Sequence, residues 1–128
     1  MIALDASVLI AHLDDRDAHH AKARELLDAH SVDPLGASDI TLAETLVAPA
    51  RAGRLADADA ALRRLGVARL QLGEDAPQRL ATLRAGTNLK MPDCCVLLVA
   101  QAHAGAVASF DGDLRKAAKK LGLEALPG

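Results

Sequence analysis

Five acidic side chains, Asp5, Glu44, Asp93, Asp111 and Asp113, stand where the chain changes character. Asp5 follows the apolar run Ile2-Ala3-Leu4, Asp93 follows Met91-Pro92 at the head of an apolar stretch, and Asp111 and Asp113 follow a run ending in Ser109-Phe110. Glu44 comes soon after a second short apolar segment. If three or four of these carboxylates meet, they cannot all stay ionised without a cation among them, because like charges at short range disfavour the charged form. The set contains no His or Cys, so the fitting cation is a hard ion that prefers oxygen ligands. Mg2+ (or Mn2+) is such an ion, held by one or two carboxylates plus substrate phosphate and keeping several waters. The chemistry it supports is activation of a bound water and stabilisation of charge on an attacked phosphate.

The elements that would bring these acids together alternate along the chain. Residues 2–4 read as a short strand and 7–13 as a helix, followed by an amphipathic helix over 18–29 and a strand at 36–38. Helical spacing returns from Asp39 and is expected to break near Pro49; another helix spans 55–65 and stops at Gly66. Residues 67–72 alternate as a strand and 74–85 as a helix. Pro92 suits the first turn of a helix reaching Ala104, and 106–110 is the next strand. A basic helix over 111–121 and a last strand at 123–126 complete the pattern. Five short strands with intervening helices predict an α/β fold in three layers, a mostly parallel sheet covered on both faces. Ligands of such sheets bind beyond the carboxyl ends of the strands, which is where the acids fall.

Each acid also has an ordinary structural role. Thr41-Leu42-Ala43-Glu44 has the form of a capping box, in which Glu44 serves the helix amides. Asp93 in a first helical turn is favoured by the macrodipole, Asp111 is a good N-cap, and Asp113 is a first-turn acid in solvent. Asp5 resists such an account, because an aspartate closing a buried apolar strand is costly unless paired.

Asp5-Ala6-Ser7-Val8-Leu9-Ile10 resembles the opening of PIN domains. Thr41-Leu42-Ala43-Glu44, Met91-Pro92-Asp93 and Ser109-Phe110-Asp111-Gly112-Asp113-Leu114 resemble the later acidic motifs of that family, in the same order and across the whole chain. In length and motif spacing the chain is most similar to VapC-type toxins of toxin-antitoxin pairs. The resemblance implies a metal-dependent endoribonuclease in which Asp5, Glu44, Asp93 and Asp111 are the metal-binding and catalytic acids, with Asp113 in an outer site. It implies that Ser7 and Ser109 orient the ligands by hydrogen bonds, although the family often has Thr where this chain has Ser109. It further implies a cognate antitoxin partner, a homodimer, a bacterial or archaeal cytoplasmic location, and RNA products with a 5'-phosphate and a 3'-hydroxyl, formed by two-metal-type water attack.

The 128 residues carry 17 acidic and 15 Lys or Arg side chains, a formal charge of -2, with no Trp, no Tyr and one Phe. One domain spanning residues 1–128 is expected. Near-neutral charge argues against a general nucleic-acid coat, and the lack of aromatics argues against a base-stacking sheet platform. Contact with RNA should therefore be local. Arg115, Lys116, Lys119 and Lys120 on the last helix are candidates for gripping phosphates, or are simply a solvated basic face. The longest apolar run, 94–100, is far short of the roughly 20 residues that span a bilayer, so no membrane contact is expected. The start lacks the charged region and cleavage site of a signal peptide. Adjacent Cys94 and Cys95 read as reduced core residues. Asp17, His19 and His20 read as polar residues at a helix start rather than metal ligands. The Leu- and Ala-rich stretch 40–65 is either core and dimer packing or, by the resemblance, a groove for an antitoxin helix. A non-catalytic PIN-like module that binds RNA or protein is the rival reading; a haloacid-dehalogenase-type phosphatase is disfavoured because Ser7 stands where a second Asp is needed.

Overall fold

The computed structural model describes residues 1–128. Strands β1 (Ile2–Leu4), β2 (Leu35–Ala37), β3 (Val67–Arg69), β4 (Ala106–Ala108) and β5 (Glu124–Leu126) form one sheet in the order β3-β2-β1-β4-β5. Every pairing is parallel. The central β1 places Ile2 beside Leu35 on one flank and Ala106 on the other. Because side chains alternate across a strand, Ile2, Leu4, Ala106 and Ala108 enter one core while Ala3 and Val107 enter the other.

Helices α1 (Ala6–Leu13), α2 (His20–Ala29), α3 (Asp39–Arg51) and α4 (Leu55–Leu65) supply apolar side chains to the first core. Helices α5 (Ala76–Gly86), α6 (Met91–Val99) and α7 (Gly112–Lys120) cover the second. The three-layer parallel α/β architecture is the expected one, because parallel strands need crossovers and those crossovers bury both faces. α6 continues into a π-helical turn at Ala100–Ala104, closed by the Gly105 amide on the Ala100 carbonyl, with Gly105 in the left-handed region.

α3 stops at Arg51, two residues beyond Pro49, as expected: Pro49 lies in the last turn, where its missing N–H costs one bond and the Arg54 amide closes on its carbonyl at 2.8 Å. Three other local expectations are corrected. β3 ends at Arg69 instead of continuing to residue 72; after one further bond, Leu70 N to Ala37 O, Leu70 folds over β2. That turn needs Gly36, since a Cβ there would lie 2.6 Å from Leu70 Cδ1. The α3 cap is Ser38, whose hydroxyl accepts from the Thr41 amide, so Thr41 and Glu44 form no capping box. β2 ends one residue earlier than expected, which frees Ser38 for that task.

Candidate active site

Asp5 sits between β1 and α1, in the N-cap position with extended backbone, yet its side chain caps nothing. It is 5% exposed. Its Oδ2 accepts from the hydroxyls of Ser7 at 2.7 Å and Ser109 at 2.8 Å. Both bonds fall on one oxygen, so Oδ1 keeps its lone pairs for another partner. The two serines are themselves held: Ser7 Oγ accepts the Phe110 amide at 3.1 Å, and Ser109 Oγ accepts the Asp111 amide at 3.0 Å. The ends of the two central strands are thus laced together around one buried carboxylate.

Asp111 follows on the same strand end and caps α7, with Oδ1 accepting from Leu114 N at 2.9 Å. Its expected structural role is real and occupies one of its two oxygens. Asp93 lies in the first turn of α6, where the helix dipole should ease ionisation. Its carboxyl is nevertheless pushed up to about 6, first by burial and then by the charges of Asp5, Asp111 and Glu44, with Lys90 opposing. Glu44, on the solvent side of α3, is also raised, by partial loss of water and by Asp5, again against Lys90. The fold therefore brings Asp5, Glu44, Asp93 and Asp111 within electrostatic reach of one another at the carboxyl ends of the strands.

Asp113 is exposed and lines a groove between the loop after α5 and α7, shared with Thr87, Asn88, Lys116 and Lys120. Lys119 is exposed on α7 outside that groove. Arg115, one of the candidates for gripping phosphate, donates to the backbone carbonyls of Ser109 and Pro127. His20 Nδ1 lies 2.7 Å from the Ala11 carbonyl, and His19 stacks on Phe110. Cys94 and Cys95 are buried and free, and burial pushes both thiols up, which keeps them protonated. Sequence reasoning missed Lys90, the one cation that tempers both Asp93 and Glu44; its place immediately before Met91-Pro92-Asp93 was the available signal.

The donor set fits a hard divalent ion. All four groups are carboxyls, and the burial and mutual repulsion that raise Asp93 are relieved by a cation among them. No three His, Cys, Asp or Glu side chains converge tightly enough to enclose an ion by themselves.

A model of the PIN domain matches residues 2–120, and the chain belongs to the PIN-domain family. No curated protein matches it by sequence. By structure it is similar to VapC20 of Mycobacterium tuberculosis, described as a sarcin-ricin loop cleaving toxin, at 22% identity and a TM-score of 0.75, covering 91% of this chain and 95% of that one. It is similar also to a toxin-antitoxin complex from Klebsiella pneumoniae (24% identity, TM-score 0.73, 88% and 89% covered). A third similar structure is FitAcB from Neisseria gonorrhoeae (20% identity, TM-score 0.68, 98% and 96% covered).

Proposed function

We propose that this PIN-domain chain is a metal-dependent endoribonuclease, the toxin of a toxin-antitoxin pair. The observation that carries the reading is the cluster of four carboxyls at the strand ends, with Asp93 raised to about 6 and no salt-bridge partner for any of them. The description of VapC20 as a sarcin-ricin loop cleaving toxin and the toxin-antitoxin setting of the Klebsiella protein support it.

Asp5, Asp93, Asp111 and Glu44 would hold Mg2+ or Mn2+, which when bound acidifies water and neutralises charge on the scissile phosphate. Asp5 presents one oxygen in a fixed direction, because Ser7 and Ser109 lock the other. Glu44, on the open side, positions the attacking water. Water adds to phosphorus, the bond to the 3'-oxygen breaks, and the proton ends on that oxygen, leaving a 5'-phosphate and a 3'-hydroxyl. Lys116, Lys119 and Lys120 attract flanking phosphates from α7, and Asp113 shares the groove of Lys116 and Lys120. The exposed Ile40, Val47 and Leu55 on α3 and α4 provide apolar area for a second copy or an antitoxin helix. No helix is long and apolar enough to cross a membrane.

The test is incubation of total cellular RNA with purified protein in EDTA, Mg2+ or Mn2+, beside Asp93→Ala. Discrete fragments that require both metal and Asp93 are expected. RNA binding without cleavage in any metal would overturn the enzyme and leave the non-catalytic module.

A further inference from the structure

In a chain with no Trp or Tyr and a single Phe, two flat rings lie together at one place. The His19 imidazole stacks on Phe110 with ring centroids 4.8 Å apart and planes inclined by 15°. Phe110 immediately precedes Asp111, and its amide donates to the Ser7 hydroxyl that holds Asp5. The stack therefore stands two hydrogen bonds from the buried carboxylate, on the rim of the acid cluster. Phe110 forms the inner layer, packed against the first core, while the side chain of His19 is 48% exposed.

The backbone that carries the outer ring is tied down, and its Nδ1 lies 3.9 Å from Asp17 Oδ1. The His19 amide donates to Asp17 Oδ1 at 2.8 Å, and the next residue, His20, is pinned to the Ala11 carbonyl of α1. The turn before it is closed by Asp17 N on Asp14 O and His20 N on Asp17 O. A ring fixed against one aromatic, with half its surface in solvent, is pre-organised to receive a third flat group, and stacking on such a ring tolerates any base because every base has a π-face.

We propose that His19, backed by Phe110, is the stacking platform for one unpaired nucleobase of the RNA substrate, next to the scissile phosphate. This deepens the endoribonuclease reading and rests on it for the identity of the ligand. The role is positioning: the platform sets the register of the strand at the cut, whatever the base, and touches no reacting atom.

The test uses fluorescein-labelled single-stranded RNA 12-mers, random in sequence, and a matching series with one abasic nucleotide moved along the strand. Binding is measured by anisotropy in Mg2+ in an Asp93→Ala background, where cleavage cannot interfere. His19→Leu keeps apolar bulk against Phe110 without a second ring face, and His19→Phe keeps the face; thermal melting verifies that both fold. Loss of one stacked base is worth roughly tenfold in affinity, so His19→Leu should weaken binding by about that factor and His19→Phe should restore it. One abasic position should weaken binding to the protein that retains His19 and make no difference to His19→Leu. Equal affinity with and without the His19→Leu substitution, or an abasic penalty that persists unchanged in His19→Leu, would overturn the platform. Failure of the nuclease reading shows separately, as intact RNA when the protein retaining Asp93 is supplied with Mg2+ or Mn2+.

Discussion

Two aspartates open helices at the same edge of the sheet and end in opposite electrostatic states. Asp39, at the head of α3, receives a forked pair of bonds from Arg69, Nε to Oδ1 at 2.7 Å and Nη2 to Oδ2 at 2.8 Å. The guanidinium holds its carboxyl below the ordinary range. Asp93, at the head of α6, has three carboxylates for neighbours and only Lys90 against them, and it is raised to about 6. Local sequence treats the two alike, as first-turn acids. A carboxylate whose charge is already answered by a guanidinium has nothing left for a metal ion; one left unanswered by the fold is competent to bind one. The difference separates an acid that serves the architecture from one that serves chemistry.

Removing the unanswered charge should have the largest effect. Asp93→Asn is expected to lower metal-dependent RNA cleavage by at least about a thousandfold, read as initial rates in Mg2+, because a ligand to the ion and its charge are lost together. Next, Mg2+ at a hundred times its dissociation constant should stabilise the wild type against urea by about 2.7 kcal/mol and leave Asp93→Asn nearly unmoved. Ser109→Ala removes a donor to Asp5 and the acceptor for the Asp111 amide, and should cost about 1–3 kcal/mol in the same urea titration.

The pH dependence sharpens the contrast further. Between the ordinary value of 3.8 and about 6, native Asp93 keeps a proton that the unfolded chain has released. The metal-free protein should therefore lose stability as pH rises through that window, by on the order of 1–2 kcal/mol, with Asp93→Asn showing a flatter profile. The smallest effect belongs to Asp39→Asn. Its pair with Arg69 is solvent-exposed and screened, so cleavage should stay within about twofold and the melting temperature should barely shift.

Asp5, Asp93 and Asp111 were legible in sequence because each follows a short apolar strand or opens a helix, with Glu44 one turn into α3, and parallel topology sends such positions to one edge. What escaped depends on partners distant along the chain. Ser38 and Thr41 each offer a hydroxyl three residues before a polar side chain, and only the end of β2 at Ala37 decides which of them caps α3. Arg115 carries a visible charge, but its acceptors are backbone carbonyls that no side-chain pattern reveals. The raised carboxyl of Asp93 and the tempering by Lys90 exist only after α3, α6 and two strand ends have met. His19 and Phe110 lie far apart in sequence and share no motif, so their stacking has no signature along the chain.

The lacing of Asp5 has a consequence for how the molecule is made. One of its two hydroxyl donors lies two positions away and the other 104 positions away. β1, the first strand of the domain to be made, is the centre of the sheet and pairs with β4, the fourth. Closing so long a span is entropically slow, and non-local pairings of this kind delay folding. A nascent chain thus carries its key carboxylate at the leading side of the domain but cannot aim it until β4 has been made, so assembly of the acid cluster waits for nearly all of the domain.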